Sequence, residues 1–296
     1  MTPTQRFSAP PPGRWRGFLR AACALAILSW VAAATAVQAP AVLTVLEGQA
    51  TVVVGAQAYA AAAGARLDAG AIIETDANTK LLRLEWPDGS LLDLGPATRV
   101  MLRPPMKSGP AQPLFYLLQG WAKQTQTAEV SGQLSPAFAV PPFKGVLVTQ
   151  LESTGAVLFA EVGAAQLAGR SSATLLPLRA GQAGVAGGDS NVKVLPRPPE
   201  GWLANIPRAF RDTLPPQAAR FQGPPSALPQ RAALTYEALQ HWLVAEPDLR
   251  RDFPSRFAPL LSDRAFRGAV AKQLRLHPEW RVALRPPPPR AASAPR

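Results

Sequence analysis

Between Val42 and Arg103 the apolar positions fall in runs of three to six residues: Leu43 to Leu46, Ala50 to Val54, Ala71 to Ile73, Leu81 to Trp86, Leu91 to Leu94 and Val100 to Leu102. Turn formers separate them, at Glu47-Gly48, Gly55, Gly64, Asp68-Ala69-Gly70, Asp76-Ala77-Asn78, Pro87-Asp88-Gly89 and Gly95-Pro96. A helix needs about ten or more residues of 3.6 periodicity, so runs this short and rich in Val, Leu and Ile predict strands. In Leu82-Arg83-Leu84-Glu85-Trp86 and Leu92-Asp93-Leu94 apolar and polar residues alternate, which places the apolar ones on one buried face. Both central positions of a type I′ turn need positive φ, which Asp and Gly tolerate most cheaply. Asp88-Gly89, followed by Ser90, therefore predicts a hairpin from Leu81 to Leu94.

The order EGQATV, then GARLDAGAIIET, then LRLEWPDGSLLDLGPATRVML resembles the FecR domain of exported bacterial proteins. The matching positions are Gly48, Gly64, Leu67, Gly70, Ile73, Thr75, Leu84, Asp88, Gly89, Ser90, Leu94 and the apolar end at Val100 to Leu102. Leu114 to Gln124, Phe138 to Gly169 and Leu178 to Gly188 resemble the later strands of that family, so the likeness spans residues 42–194. Its motifs are glycine and aliphatic positions, which specify a fold more than a function. In the fuller members of the family an N-terminal cytoplasmic helical domain restrains an alternative sigma factor, a membrane helix follows, and the FecR domain relays a signal from an outer-membrane transporter. This chain departs from them twice: about twenty residues before its first apolar run are too few for a sigma-binding domain, and its C-terminus is helical.

Elsewhere the pattern changes character. Four prolines in Pro104 to Pro113 remove backbone donors and predict a loop. Residues 195–231 form a linker with nine prolines, yet Trp202 and Phe210 are too large for a solvated tether and are expected to dock, with short helices at Ala204 to Arg211 and Pro216 to Phe221. Residues 232–285 turn to helical periodicity: Thr235 caps a first helix, Pro247 opens a second, and Ser262 caps a third reaching Leu276 with Phe266, Val270 and Leu274 on one stripe. The fold class is thus mainly β, an array of short strands and hairpins followed by a Pro-rich linker and a small α-helical domain. Residues 286–296 are expected to be disordered. A weak echo relates Val42–Gly55 to Val157–Arg170, each followed by Leu-x-Ala-Gly; duplicated strand units and chance similarity both account for it.

At the N-terminus four arginines without an acid precede the apolar run Ala21 to Ala34 and the small residues Ala34-Thr35-Ala36. This is the form of a signal peptide over residues 1–36, with an uncleaved anchor as the alternative because Leu19 to Val37 is just long enough to span a bilayer. The single cysteine, Cys23, lies in that segment, so an exported body folds without disulfides.

Charge is unevenly placed: residues 40–195 hold eleven basic and eleven acidic groups, and residues 196–296 sixteen basic against eight acidic. A basic C-terminal third points to an anionic envelope surface, or to a merely solvated arginine-rich face in which Arg250, Arg251, Arg256, Arg264, Arg267 and Arg275 interleave with Asp248, Asp252 and Asp263. Export leaves nucleic acid out, and membrane contact is expected only through an uncleaved N-terminal segment.

The chain has two histidines, His241 and His277, and no Gly-x-Ser-x-Gly elbow or phosphate loop, so no metal, cofactor or catalytic set is expected. Glu85 and Asp88 flank the hairpin turn, where solvation and turn formation explain them. The reading is a non-enzymatic periplasmic protein that acts by binding an envelope protein or component, with Trp86, Trp121, Arg250, Arg251, Arg264 and Arg267 as candidate contacts. A membrane-anchored regulator and, more remotely, an envelope enzyme are the alternatives.

Overall fold

The computed structural model describes residues 40–104, 113–170, 172, 174–187 and 191–285. The expected signal peptide, most of the Pro-rich loop and the C-terminal tail lie outside the described residues. The first sheet runs β4 (Arg66–Leu67), β1 (Ala41–Glu47), β6 (Leu81–Glu85), β7 (Leu91–Leu94), β9 (Pro113–Gln126), β12 (Lys144–Glu152), β13 (Gly155–Gly169), β15 (Ala183–Ala186) and β16 (Val192–Leu195), with β14 (Leu176–Arg179) also on β13. The second runs β3 (Gln57–Ala60), β2 (Ala50–Val54), β5 (Ile72–Thr75), β8 (Arg99–Leu102), the start of β9, β10 (Gly132–Leu134), β11 (Phe138–Val140) and the end of β13. Among the described residues every strand pairing is antiparallel except β9 with β10.

The long strand β9 belongs to both sheets, passing from β8 at Gln119 to β12 at Gly120. Gly120 has φ +94°, and a Cβ there would lie 2.5 Å from the Thr98 Cα, so only glycine allows the crossing.

Period-two geometry then explains why so many strands read as unbroken apolar runs. Val52, Ile73, Val100, Leu102, Phe115 and Leu117 meet Leu82, Leu84, Leu92, Leu94 and Leu158 in one interior core. Their neighbours Val53, Ile72, Met101 and Tyr116 point outward from the second sheet and are covered by the C-terminal helices. Leu81 and Val148 point outward from the first sheet and are covered by Trp202 and Phe210. Both aromatics dock as expected, 5% and 1% exposed.

The helices are α1 (Trp202–Asn205), α2 (Tyr236–Leu243), α3 (Pro247–Arg250), α4 (Phe253–Arg256) and α5 (Arg264–Lys272), with 3₁₀ turns at Arg208–Phe210, Ala218–Phe221, Ala258–Ser262 and Pro278–Arg281. Thr235 caps α2 as expected, accepting from the Ala238 amide. The cap of α5 is Asp263 rather than Ser262: its carboxylate accepts from the Ala265 and Phe266 amides, while the Ser262 hydroxyl donates to the Pro259 carbonyl. The helix stops at Lys272, four residues short of Leu276. Nor do these helices make a bundle with a core of its own. Leu239, Trp242, Leu249, Phe253, Phe257 and Trp280 pack with Ile72, Met101 and Tyr116 of the sheet, each large side chain contributing roughly 1.5–3 kcal/mol by its burial.

Two further expectations change. The Leu81–Leu94 hairpin forms, but not through a type I′ turn: only Gly89 has positive φ (+82°), the Gly89 amide donates to the Trp86 carbonyl and the Trp86 amide to the Ser90 carbonyl. Pro87, Asp88 and Gly89 form a three-residue loop whose last position is left-handed, a type that suits Pro at its start. The echo between residues 42–55 and 157–170 is not a repeated unit, because the first copy turns back at Gly48 and the second runs within one strand, β13. What the copies share is the turn after them, with Gly70 at φ +81° and Gly181 at φ +85°.

Candidate functional site

The outer face of the first sheet is the most chemically elaborated surface of the molecule, because the alternation in β6 and β7 puts charge there and residues 202–221 lie over it. Arg83 and Asp93 are cross-strand partners, and the guanidinium meets the carboxylate through two bonds of 2.6 and 2.7 Å. Burial pulls the Arg83 pKa down, but the hydrogen bonds and charge of Asp93, with Glu85 beyond, outweigh it and hold it above its ordinary value. The remaining Arg83 nitrogen donates to the Leu214 carbonyl at 2.8 Å.

Two residues along β6, Glu85 is 1% exposed and accepts from the Gln217 and Ala218 amides, each at 2.8 Å, and from the Thr44 hydroxyl at 2.8 Å. Its carboxylate thus satisfies amides at the start of the 3₁₀ turn Ala218–Phe221, which have no partner within the turn. Lys123 on β9 donates to the Phe210 carbonyl at 2.6 Å and pairs with Glu161 at 2.9 Å. Trp202 lies on Trp121, centroids 5.5 Å apart, meets Phe159 edge-on at 5.9 Å, and donates its indole N–H to Gln150. The overlying segment is therefore a strap, held by carboxylate, lysine and arginine on its backbone and by aromatics on its side chains.

Beyond Phe221 the strap closes the sheet edges. Arg66 donates to the Gly223 carbonyl, Ser226 N–H to the Gly64 carbonyl, and Ala60 N–H and Arg231 N–H complete a bridge beside β3. Beside it a cleft of about 670 Å³, lined by Lys80, Leu81, Pro207, Arg208, Asp212 and Leu214 among others, stays open.

The candidate contacts are scattered by the fold. Asp88, Gly89 and Ser90 build the hairpin turn, the Ser90 amide donating to the Asp88 carboxylate at 2.9 Å. Trp86 is 4% exposed inside the sandwich, with the Arg103 guanidinium 5.6 Å over its ring, so it presents no outer surface. Trp121 is under Trp202. Arg250 is buried rather than solvated: it donates to the Leu243 and Leu276 carbonyls and faces Glu279 at 3.4 Å. Arg251 pairs with Asp248 at the surface, and Arg264 and Arg267 are exposed together on α5. Glu85 is not a solvated flank of the turn but the buried anchor of the strap. Arg83, Asp93, Lys123 and Gln150 were not singled out by sequence reasoning at all. One signal was available for two of them, since any hairpin that pairs Glu85 with Leu91 sets Arg83 directly opposite Asp93.

The second sheet is tied to the helices by Arg256, whose guanidinium donates to the carbonyls of Val53 (3.0 Å), Gly55 (3.0 Å) and Gly70 (2.7 Å), burial pushing its pKa down to about 10. His277 is fully buried, 3.1 Å from the Tyr236 hydroxyl, with its pKa lowered by burial. Among the described residues no group of three or more His, Cys, Asp or Glu is placed to hold a metal ion, and no helix is long and apolar enough to cross a membrane. In comparisons with known proteins, no family model matches the chain and no curated protein matches it.

Proposed function

We propose that the chain is an exported, non-enzymatic protein of the cell envelope that acts by binding a protein partner, with the β sandwich as a FecR-like interaction or scaffold module. The N-terminal pattern of basic, apolar and small residues supports export. The FecR-like glycines Gly48, Gly64, Gly70 and Gly89 all have positive φ, so the glycines of the resemblance are positions where the backbone turns.

The observation that carries the binding reading is the grip on the strap. Glu85 takes two backbone amides, Arg83 and Lys123 take two backbone carbonyls, and Trp121 and Phe159 form a platform for one indole. Backbone-directed polar groups beside aromatic platforms suit an extended, proline-punctuated polypeptide. In this chain that polypeptide is its own segment, and a partner segment of the same kind is read by the same groups.

The test uses the full chain carrying Trp202→Ala, which weakens the strap, and a fluorescent peptide of residues 200–222. Saturable binding that is lost on adding Glu85→Ala is expected; circular dichroism and melting curves verify that both variants fold. A folded Trp202→Ala chain that ignores the peptide overturns the reading. Compartment is checked by intact mass after cell fractionation: a soluble periplasmic species beginning near Val37 is expected. A full-length inner-membrane species favours the anchored regulator, and a cytoplasmic one removes export.

A further inference from the structure

The C-terminal helical layer has an outer face that neither the strap nor the sandwich uses. Phe266 and Val270 of α5 and Trp280 of the following 3₁₀ turn point into the shared core, and the Phe266 and Trp280 rings lie 6.0 Å apart. The Arg267 guanidinium donates to the Leu284 carbonyl at 2.8 Å, so α5 and residues 278–285 lie side by side. Ala269, Ala283 and Leu284 pack against the same core and Glu279 is half-buried, while the remaining side chains of both elements are exposed.

Exposed on the two elements and the turn between them are Arg264, Arg267, Lys272, Arg275, Arg281 and Arg285, with Arg267 on the flank beside Val270 and its guanidinium on the Leu284 carbonyl. Around the α5 axis Arg264 and Lys272 fall opposite Phe266 and Val270, at the spacing of i and i+8. None of the six makes an ion pair among the described residues. The acids nearby are already engaged: Glu279 faces buried Arg250, and Asp263 caps α5. In sequence Leu276 follows Arg275 and Val282 follows Arg281, and these two aliphatic side chains are 49% and 71% exposed.

We infer that this face docks on an anionic phospholipid bilayer, a membrane contact additional to the N-terminal segment to which the sequence pattern alone confined it. Guanidinium and ammonium groups meet headgroup phosphates, and each basic residue near such a surface strengthens binding, while the two aliphatic side chains enter the boundary with the acyl chains. A polynucleotide offers the phosphates on a polar, hydrated surface, whereas a bilayer adds a continuous apolar boundary for Leu276 and Val282 beside its phosphates, which is why a bilayer is the better fit. The inference is independent of segment recognition at the strap, because it uses a different face.

The test is sedimentation of the full chain with vesicles of pure phosphatidylcholine and of phosphatidylcholine with 30% phosphatidylglycerol. All chains compared share the same N-terminal apolar run, so differences between parent and variant report this face alone. Partitioning at least about tenfold stronger on the anionic vesicles is expected, falling on the order of fivefold for each cation removed in Arg264→Gln and Arg275→Gln. It should weaken several-fold in 0.5 M salt and fall again in Val282→Ser. All three substitutions are at exposed positions, and unchanged melting verifies the fold. Equal binding to both vesicle types overturns the inference, as does binding that Arg264→Gln/Arg275→Gln leaves unchanged. So does binding confined to lipopolysaccharide micelles or to an oligonucleotide.

Discussion

Replacing Glu85 with alanine tests whether one buried carboxylate holds the strap to the sheet. The substitution leaves three donors without their acceptor: the Gln217 and Ala218 amides and the Thr44 hydroxyl. A buried donor left unsatisfied costs about 1–3 kcal/mol. Gln217 and Ala218 are only partly buried, so water reaches them, and the Thr44 hydroxyl can rotate, which puts each at the low end of that range. The expected loss is about 3 kcal/mol, or a fall in Tm of roughly 6–12 °C for a unit of this size. Glu85→Gln keeps one oxygen acceptor but turns an NH₂ toward donors, and about half the loss is expected. Urea unfolding followed by tryptophan fluorescence gives the free energies. Hydrogen exchange at residues 214–218 shows whether the strap opens before the sandwich does. Loss below about 1 kcal/mol in Glu85→Ala, or exchange at the strap no faster than in the parent, refutes the assignment of Glu85 as the anchor.

Two further outcomes follow from the helical layer. Arg256→Lys retains the charge but cannot reach three carbonyls with one ammonium, so a loss of about 1.5–3 kcal/mol is expected, with faster exchange in α4 and α3 than in β9. His277 titrates below its ordinary 6.5 because burial disfavours the imidazolium; Arg250 adds to this and Glu279 opposes it, with Tyr236 and Trp280 as the other neighbours. The unfolded chain therefore binds the proton more readily than the folded one. Its contribution to stability is complete above pH 6.5 and is lost as pH falls through the lower folded value. Urea midpoints measured from pH 8 to pH 5 should decline through that window, and a His277→Gln chain should lack that part of the decline.

Local rules read along the chain were enough to place β1, β2 and β5 to β8, because turn residues and short apolar runs act within a few neighbours, but they did not mark β3 or β4. The Leu81–Leu94 hairpin was legible, and so was the docking of Trp202 and Phe210, since a solvated linker gains nothing from large aromatics. The same rules missed the three-residue loop at Pro87 to Gly89, where Pro87 and Gly89 together choose a type I turn over a type I′ one. They also could not assign the partners of the outer faces. Val53, Ile72 and Met101 read as apolar whether a second sheet or a helix covers them, and only long-range packing decides which.

Charge was the hardest to read. Arg83, Glu85 and Asp93 alternate with leucines as residues facing water do, and nothing within ten residues reveals that a segment 130 residues later lies over them. Burial turned that polar face from a solvated surface into an anchor. Arg250 and Arg264 look alike in sequence, yet one is enclosed among carbonyls and the other is exposed. The residue type supplies a positive charge. Whether the protein satisfies that charge or presents it outward depends on what the chain brings beside it, and that is settled only in three dimensions.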